Sequence, residues 1–183
     1  RSQLLHQIGV RHRVVGADID ETPLPGEKPL DYVQRIAAGK AQGVVARLGG
    51  EPDAPVLAAD TTVVLGERLF GKPAGEADCL EMLGALAGQR HAVLTAVALR
   101  HGNRLHRALD TSYVTFRAID PDEGRRYWAS GEPAGKAGGY AIQGLGAVFV
   151  ARLEGSFSGV MGLPLFETAA LLDAAGVRRW QRA

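Results

Sequence analysis

Between Pro55 and Leu65 the chain runs almost without a polar break, Val56-Leu57-Ala58-Ala59-Asp60-Thr61-Thr62-Val63-Val64-Leu65, and turns β-branched at its end. Such a run fits a strand covered on both faces rather than an alternating, half-solvated one. The rest of the chain offers the helices to cover it. From Asp31 to Leu48 the residues Val33, Ile36, Ala37, Ala41, Val44, Val45 and Leu48 recur at three and four, which predicts an amphipathic helix. A second helix is expected from Glu76 to Leu86 with Gly88 near its end, a short one over Pro121 to Ala129, and a last one over Pro164 to Ala175 stopped by Gly176. Leu4, Leu5, Ile8, Gly9 and Val10 read as a helix end followed by a strand. His91 to Arg100 and about Leu105 to Ile119 read as strands joined at His101-Gly102-Asn103, with a further short strand over Ala147 to Val150. Gly131 to Gly146 is Gly-rich, and Ser156 to Gly162 reads as a small-residue loop. Helices and strands mix throughout, so the class is α/β.

At 183 residues the chain fits one domain, or two small lobes sharing a core. Its 21 basic and 20 acidic residues leave a net charge of +1, so no basic field argues for a nucleic-acid polymer as partner. An anionic ligand must be held by a few placed cations. Cys79 is the sole cysteine, which excludes a disulfide framework and a cysteine-based metal site and fits a buried structural thiol. No apolar run approaches the roughly 18 residues of a membrane span and no signal peptide opens the chain, so a cytoplasmic location is expected. The first residue is Arg1 rather than an initiator methionine.

Three charged residues stand out. Asp60 interrupts the apolar strand, where an ionised carboxylate is costly unless paired, hydrogen-bonded or bound to metal. It reads as a general base or metal ligand at a strand end, against the plainer role of capping a turn. Lys40 shares the helical stripe of Val33, Ile36, Ala37 and Val44; helical geometry alone leaves it either snorkelling or pointing at an anion. Lys72 ends Gly66-Glu67-Arg68-Leu69-Phe70-Gly71-Lys72, close to a phosphate loop, but Pro73 replaces the hydroxyl that would bind magnesium, so a P-loop is rejected. The Gly-rich segment 135–146 lacks the strand and helix of a dinucleotide fingerprint, and its glycines suit either close approach to a ligand or tight turns. Within it Gln143 offers both a donor and an acceptor, which suits a nucleobase edge as well as a solvated loop. The five histidines show no metal-ligand spacing.

In order along the chain, Asp18-Ile19-Asp20-Glu21-Thr22, Tyr32-Val33 through Lys40-Ala41, Ala59-Asp60-Thr61, Gly71-Lys72-Pro73, Val114-Thr115-Phe116-Arg117, Ser130-Gly131-Glu132-Pro133, Lys136-Ala137-Gly138, Ile142-Gln143-Gly144, and Gly162-Leu163-Pro164 with Glu167-Thr168 resemble the Maf family. The resemblance covers practically the whole chain as a single domain over residues 1–183. It implies an elongated, two-lobed α/β fold akin to inosine triphosphatases, with a central twisted mixed sheet and a cleft between the lobes. It also implies that Asp60 is the catalytic aspartate, that Lys40 and Lys72 contact a triphosphate, that Glu21 faces the cleft, and that Thr61 and Gln143 bear on base selection. Of the family's opening strand and Ser-Pro-Arg-Arg phosphate loop only Arg1 remains, so the rest is expected to precede it. Gly135 stands where an Asp often precedes the lysine, and Gly139 where Ala is common.

The activity so implied is a nucleoside triphosphate pyrophosphatase, a hydrolase of nucleotide-pool housekeeping that cuts between the α and β phosphates. Tyr140-Ala141-Ile142-Gln143-Gly144 resembles the form of the subgroup acting on dTTP and UTP. A divalent cation, Mg²⁺ or Mn²⁺, would be held by carboxylate, phosphate and water oxygens, with Asp60 and Glu21 nearby. The rival readings are a 7-methyl-GTP or an inosine/xanthosine triphosphate pyrophosphatase, and a nucleotide-binding regulator of septum formation. The expected partner is the nucleotide alone, with no nucleic-acid polymer and no membrane, in a chain compatible with a homodimer.

Overall fold

The computed structural model describes residues 1–50 and 53–180. Its elements are α1 (Ser2–Gln7), α2 (Pro29–Arg47), β1 (Val56–Leu65), β2 (Arg68–Phe70), α3 (Glu76–Leu86), β3 (Arg90–His101), β4 (Arg104–Phe116), α4 (Pro121–Ala129), β5 (Val150–Glu154), α5 (Phe157–Val160) and α6 (Leu165–Ala174). The strands form one sheet in the order β2-β1-β3-β4-β5. The chain divides into two compact units, the first comprising Arg1–Asp60, Thr95–Asp110 and Gly162–Ala183, the second Thr61–Leu94 and Thr111–Met161. Strands β1, β3 and β4 each pass from one unit into the other.

The α/β class is as expected, and within it neighbouring strands run antiparallel, where the resemblance implied a mixed sheet. The reason lies in α3. Strand β1 ends in the second unit, α3 lies wholly in that unit, and β3 therefore starts where β1 ended and runs back. A parallel partner would need a crossover that returns to the starting end. The turns Gly66-Glu67 and Gly102-Asn103 close two-residue hairpins, the first registering Leu65 against Arg68. At the other edge β5 pairs with β4, Tyr113 against Glu154, with an irregularity at Thr115/Phe116.

In the first unit, α2 buries Val33, Ile36, Ala37, Ala41, Val44 and Val45, the stripe read from the sequence. Its Gly39 and Gly43 lie one turn apart and leave a trough: a Cβ at either would stand 3.2 or 3.1 Å from the Ile19 side chain. Ile19 is thereby seated on α2, and the acidic segment around it follows the helix. The strand expected after α1 does not form. Residues 10–17 carry no strand pairing, and Val14 is 78% exposed.

The second unit is built on a cluster that includes Val63, Phe70, Cys79, Leu83, Val93, Val114, Phe116, Tyr127, Tyr140, Ile142 and Phe149. Helix α4 is capped by Asp120, whose carboxylate accepts from Asp122 N at 2.8 Å. The Gly-rich segment is drawn onto this core. Gly138 donates its N–H to Gly71 O at 2.9 Å, at a φ of +69° and with Val63 so close that a Cβ would stand 2.9 Å from Val63 Cγ2. Cys79 is fully buried beneath Gly139, with Sγ 3.9 Å from its carbonyl, and burial pushes the thiol up to about 11. Residues Leu145–Phe149 wind into 3-10 turns, which moves the short strand expected at 147–150 on to β5.

His91, 1% exposed, meets Tyr140 Oη at 2.9 Å through Nε2 and packs edge-on against Phe116 with ring centroids 4.8 Å apart. Burial lowers its pKa to about 4. Between that value and the ordinary unfolded value near 6.5 the unfolded chain binds a proton that the folded one does not, so stability rises with pH across this window. Urea unfolding of the wild type from pH 4 to 7 should show that slope, and His91→Gln should flatten it. Gly138→Ala places a side chain at positive φ against Val63 and should cost roughly 2–4 kcal/mol in the same measurement.

Candidate active site

The acidic segment Asp18–Thr22 is shaped before it meets any partner. Asp20 Oδ1 accepts from Thr22 N at 2.8 Å, a local turn that aspartate makes readily. Arg35 of α2 donates to Thr22 O at 3.0 Å and grips Glu27 with two bonds of 2.6 and 2.7 Å, and that grip lowers the Glu27 carboxyl to about 2. Tyr32 donates its hydroxyl to Glu21 O at 3.0 Å. With Ile19 in the α2 trough, these contacts fix where Glu21 points.

Lys40 leaves α2 on the same side. Its Nζ lies 2.7 Å from Asp60 Oδ1 and 2.9 Å from Glu21 Oε1, and its side chain is only 14% exposed, so it does not snorkel to water. Asp60, 6% exposed, closes the first-unit half of β1. One ammonium thus serves two carboxylates. Burial raises the Asp60 pKa above the usual carboxylate range, while the hydrogen bond and charge of Lys40, and then Arg1, pull against it. Arg1 donates from Nε to Gly162 O at 2.9 Å; withdrawal from water lowers its proton affinity, and Asp60 and Glu21 partly restore it.

Arg1, Glu21, Lys40 and Asp60 are therefore gathered in the first unit. Thr61, Lys72 and Gln143 belong to the second. Thr61 follows Asp60 on β1, half-buried. Lys72 is exposed just after β2, with no ion-pair partner among the described residues. Gln143 is exposed on a turn between the buried Ile142 and Gly146. Two residues that the sequence reading did not single out hold this turn: Tyr127 and Glu132. Ala141 N donates to Tyr127 Oη at 3.1 Å, Leu145 N and Gly146 N donate to Glu132 at 2.8 and 2.9 Å, and Tyr127 donates to Glu132 at 2.7 Å. Only the Ser130-Gly131-Glu132-Pro133 motif hinted at Glu132, with no sign of what it would reach.

Among the described residues no three His, Cys, Asp or Glu side chains assemble into a metal cage. What is present, two carboxylates converging on one cation, fits a Mg²⁺- or Mn²⁺-type ion that takes one or two carboxylates and completes its shell with phosphate and water oxygens.

Named proteins are similar to this chain along nearly its whole length. A protein named dTTP/UTP pyrophosphatase from Cupriavidus pinatubonensis is 52% identical over 97% of this chain and 93% of its own length. Proteins of the same name from Nitrosomonas europaea and Methylococcus capsulatus are 51% and 52% identical, again over 97% of this chain and over 90% and 87% of theirs. The family described as Maf-like protein matches residues 1–175. With a match of that extent, and with relatives about half identical over nearly all of its length, the chain belongs to the Maf family.

Proposed function

We propose that the chain hydrolyses dTTP and UTP to the nucleoside monophosphate and pyrophosphate, in the cytosolic nucleotide pool. The observation that carries this reading is the buried Asp60 carboxylate, held 2.7 Å from a lysine that also reaches Glu21. It is supported by relatives about half identical that bear this activity as their name. A protein that only bound nucleotides would gain nothing from a desolvated carboxylate near a triphosphate, where like charges repel. A hydrolase needs one.

In this reading water adds to the α-phosphorus while its proton passes to Asp60. The bond from that phosphorus to the α–β bridging oxygen breaks, and pyrophosphate leaves with the electron pair. Burial lifts the proton affinity of Asp60, as a base requires, and the hydrogen bond and charge of Lys40 pull against that lift. Lys40, Lys72 and Arg1 supply positive charge where the leaving group gains negative charge. A divalent cation held by Asp60 and Glu21 supplies further charge neutralisation when bound. Gln143 donates once and accepts once against the O4/N3–H edge of uracil or thymine, with Thr61 beside Asp60 as the second selecting group.

Assay of dTTP and UTP with Mg²⁺ or Mn²⁺ should yield pyrophosphate and a monophosphate; release of single phosphates to leave a diphosphate would sink the proposal. Asp60→Asn should lower kcat at least about 100-fold while nucleotide binding, followed by calorimetry, survives or tightens. Turnover within a few-fold of wild type would remove Asp60 from the role of base. The acid limb of the kcat–pH profile reports the carboxylate losing its ionised form as pH falls. Lys40→Met removes the contact that lowers the Asp60 pKa, so that limb should move to higher pH, and a limb that stays in place would detach it from Asp60.

A further inference from the structure

The amide of Gln143 has no hydrogen-bond partner among the described residues, so its direction depends on the turn that carries it. That turn has little freedom. Gly144 N closes it on Ala141 O at 3.2 Å, and Ile142 is buried in the core of the second unit. Its first strap runs from Ala141 N to Tyr127 Oη, and its second from Leu145 N and Gly146 N to the two oxygens of Glu132. The Tyr127–Glu132 bond of 2.7 Å ties the straps together. The residues immediately around Gln143 are cut to fit. A Cβ on Gly144 would overlap the Glu132 carboxylate, and one on Gly146 would stand 2.6 Å from Tyr127 Oη.

We infer that Tyr127 and Glu132 are positioning residues for base selection, fixing the turn that presents Gln143 to the nucleobase. The inference rests on the proposed role of Gln143. A glutamine amide suits uracil in one orientation and cytosine when flipped, so it discriminates only where its backbone and approach are held. Glu132 supplies that hold as an ion with no ion-pair partner among the described residues. Burial acts to raise its pKa, but the N–H groups of Gly146 and Leu145 and the Tyr127 hydroxyl, with a smaller contribution from the charge of Lys136, outweigh burial and leave it lowered. Hydrogen bonds to an ionised carboxylate are roughly twice as strong as neutral ones, so this is a stiff strap. An amide in its place has one oxygen for three donors and turns an NH₂ toward N–H groups that also donate.

The test compares initial rates of pyrophosphate release from UTP and from CTP for the wild type, Glu132→Gln, Tyr127→Phe and Gln143→Ala, with thermal unfolding of each. The wild type should prefer UTP, and Gln143→Ala should narrow that preference. Glu132→Gln and Tyr127→Phe should narrow it as well, by roughly 10-fold or more, even though Gln143 is retained. A wild-type UTP:CTP ratio in folded Glu132→Gln and Tyr127→Phe, beside a narrowed ratio in Gln143→Ala, would reduce the pair to a purely structural role and overturn the inference. Should Glu132→Gln fail to fold, Tyr127→Phe decides alone. An unchanged ratio in Gln143→Ala would instead overturn the role of Gln143, and this inference with it.

Discussion

A single ammonium shared by two carboxylates imposes the order seen around it. Left alone, Asp60 would be an ionised group in an apolar strand, at a cost that chains avoid by protonation or by finding a partner. Lys40 is that partner, and it can be so only because α2 turns this face toward β1 while Val33, Ile36, Ala37 and Val44 bury the stripe around it. Glu21 completes the set, which requires the loop before α2 to lie along the helix; Gly39 and Gly43 make room for Ile19 and so permit that path. Substituting any of these changes the electrostatic balance of all three.

The second unit solves a different problem with related means. Two of its candidate residues, Lys72 and Gln143, lie outside strands and helices, on segments that hold side chains less firmly. The Gly-rich segment gains firmness by approaching the protein itself: Gly138 against Val63 and Gly71, Gly139 over Cys79, and the turn at Gln143 strapped to Tyr127 and Glu132. At Gly138 and Gly139, then, the missing side chains make room for core contacts.

Much of this could be read from the residues, and what could not has identifiable causes. Helices α2 and α3 follow their apolar spacing closely and α4 starts at its proline, because periodicity and helix-start residues are local signals. The anomaly of Asp60 and the placement of Lys40 on an apolar stripe were both visible, since each breaks a pattern; that they meet was not, because the contact joins residues 20 apart. Strand β2 escaped notice because three residues carry no alternation, and the strand expected after α1 failed because pairing, not hydropathy, makes a strand. Tyr127 and Glu132 were illegible for a related reason. Their function is a set of bonds to backbone N–H groups up to 14 residues away, and a backbone donor leaves no trace in the identity of its residue.

The lone cysteine has a consequence for the chemistry the protein is indifferent to. A thiol must ionise to react with oxidants or alkylating agents, and Cys79, fully buried with its pKa pushed up to about 11, presents almost no thiolate at neutral pH. Turnover should therefore be insensitive to the redox poise of its surroundings. The same inertness makes the wild-type chain a silent background for labelling. A cysteine introduced at an exposed position such as Ala147 would be the only reactive thiol, open to a spin label or fluorophore without first removing the native one.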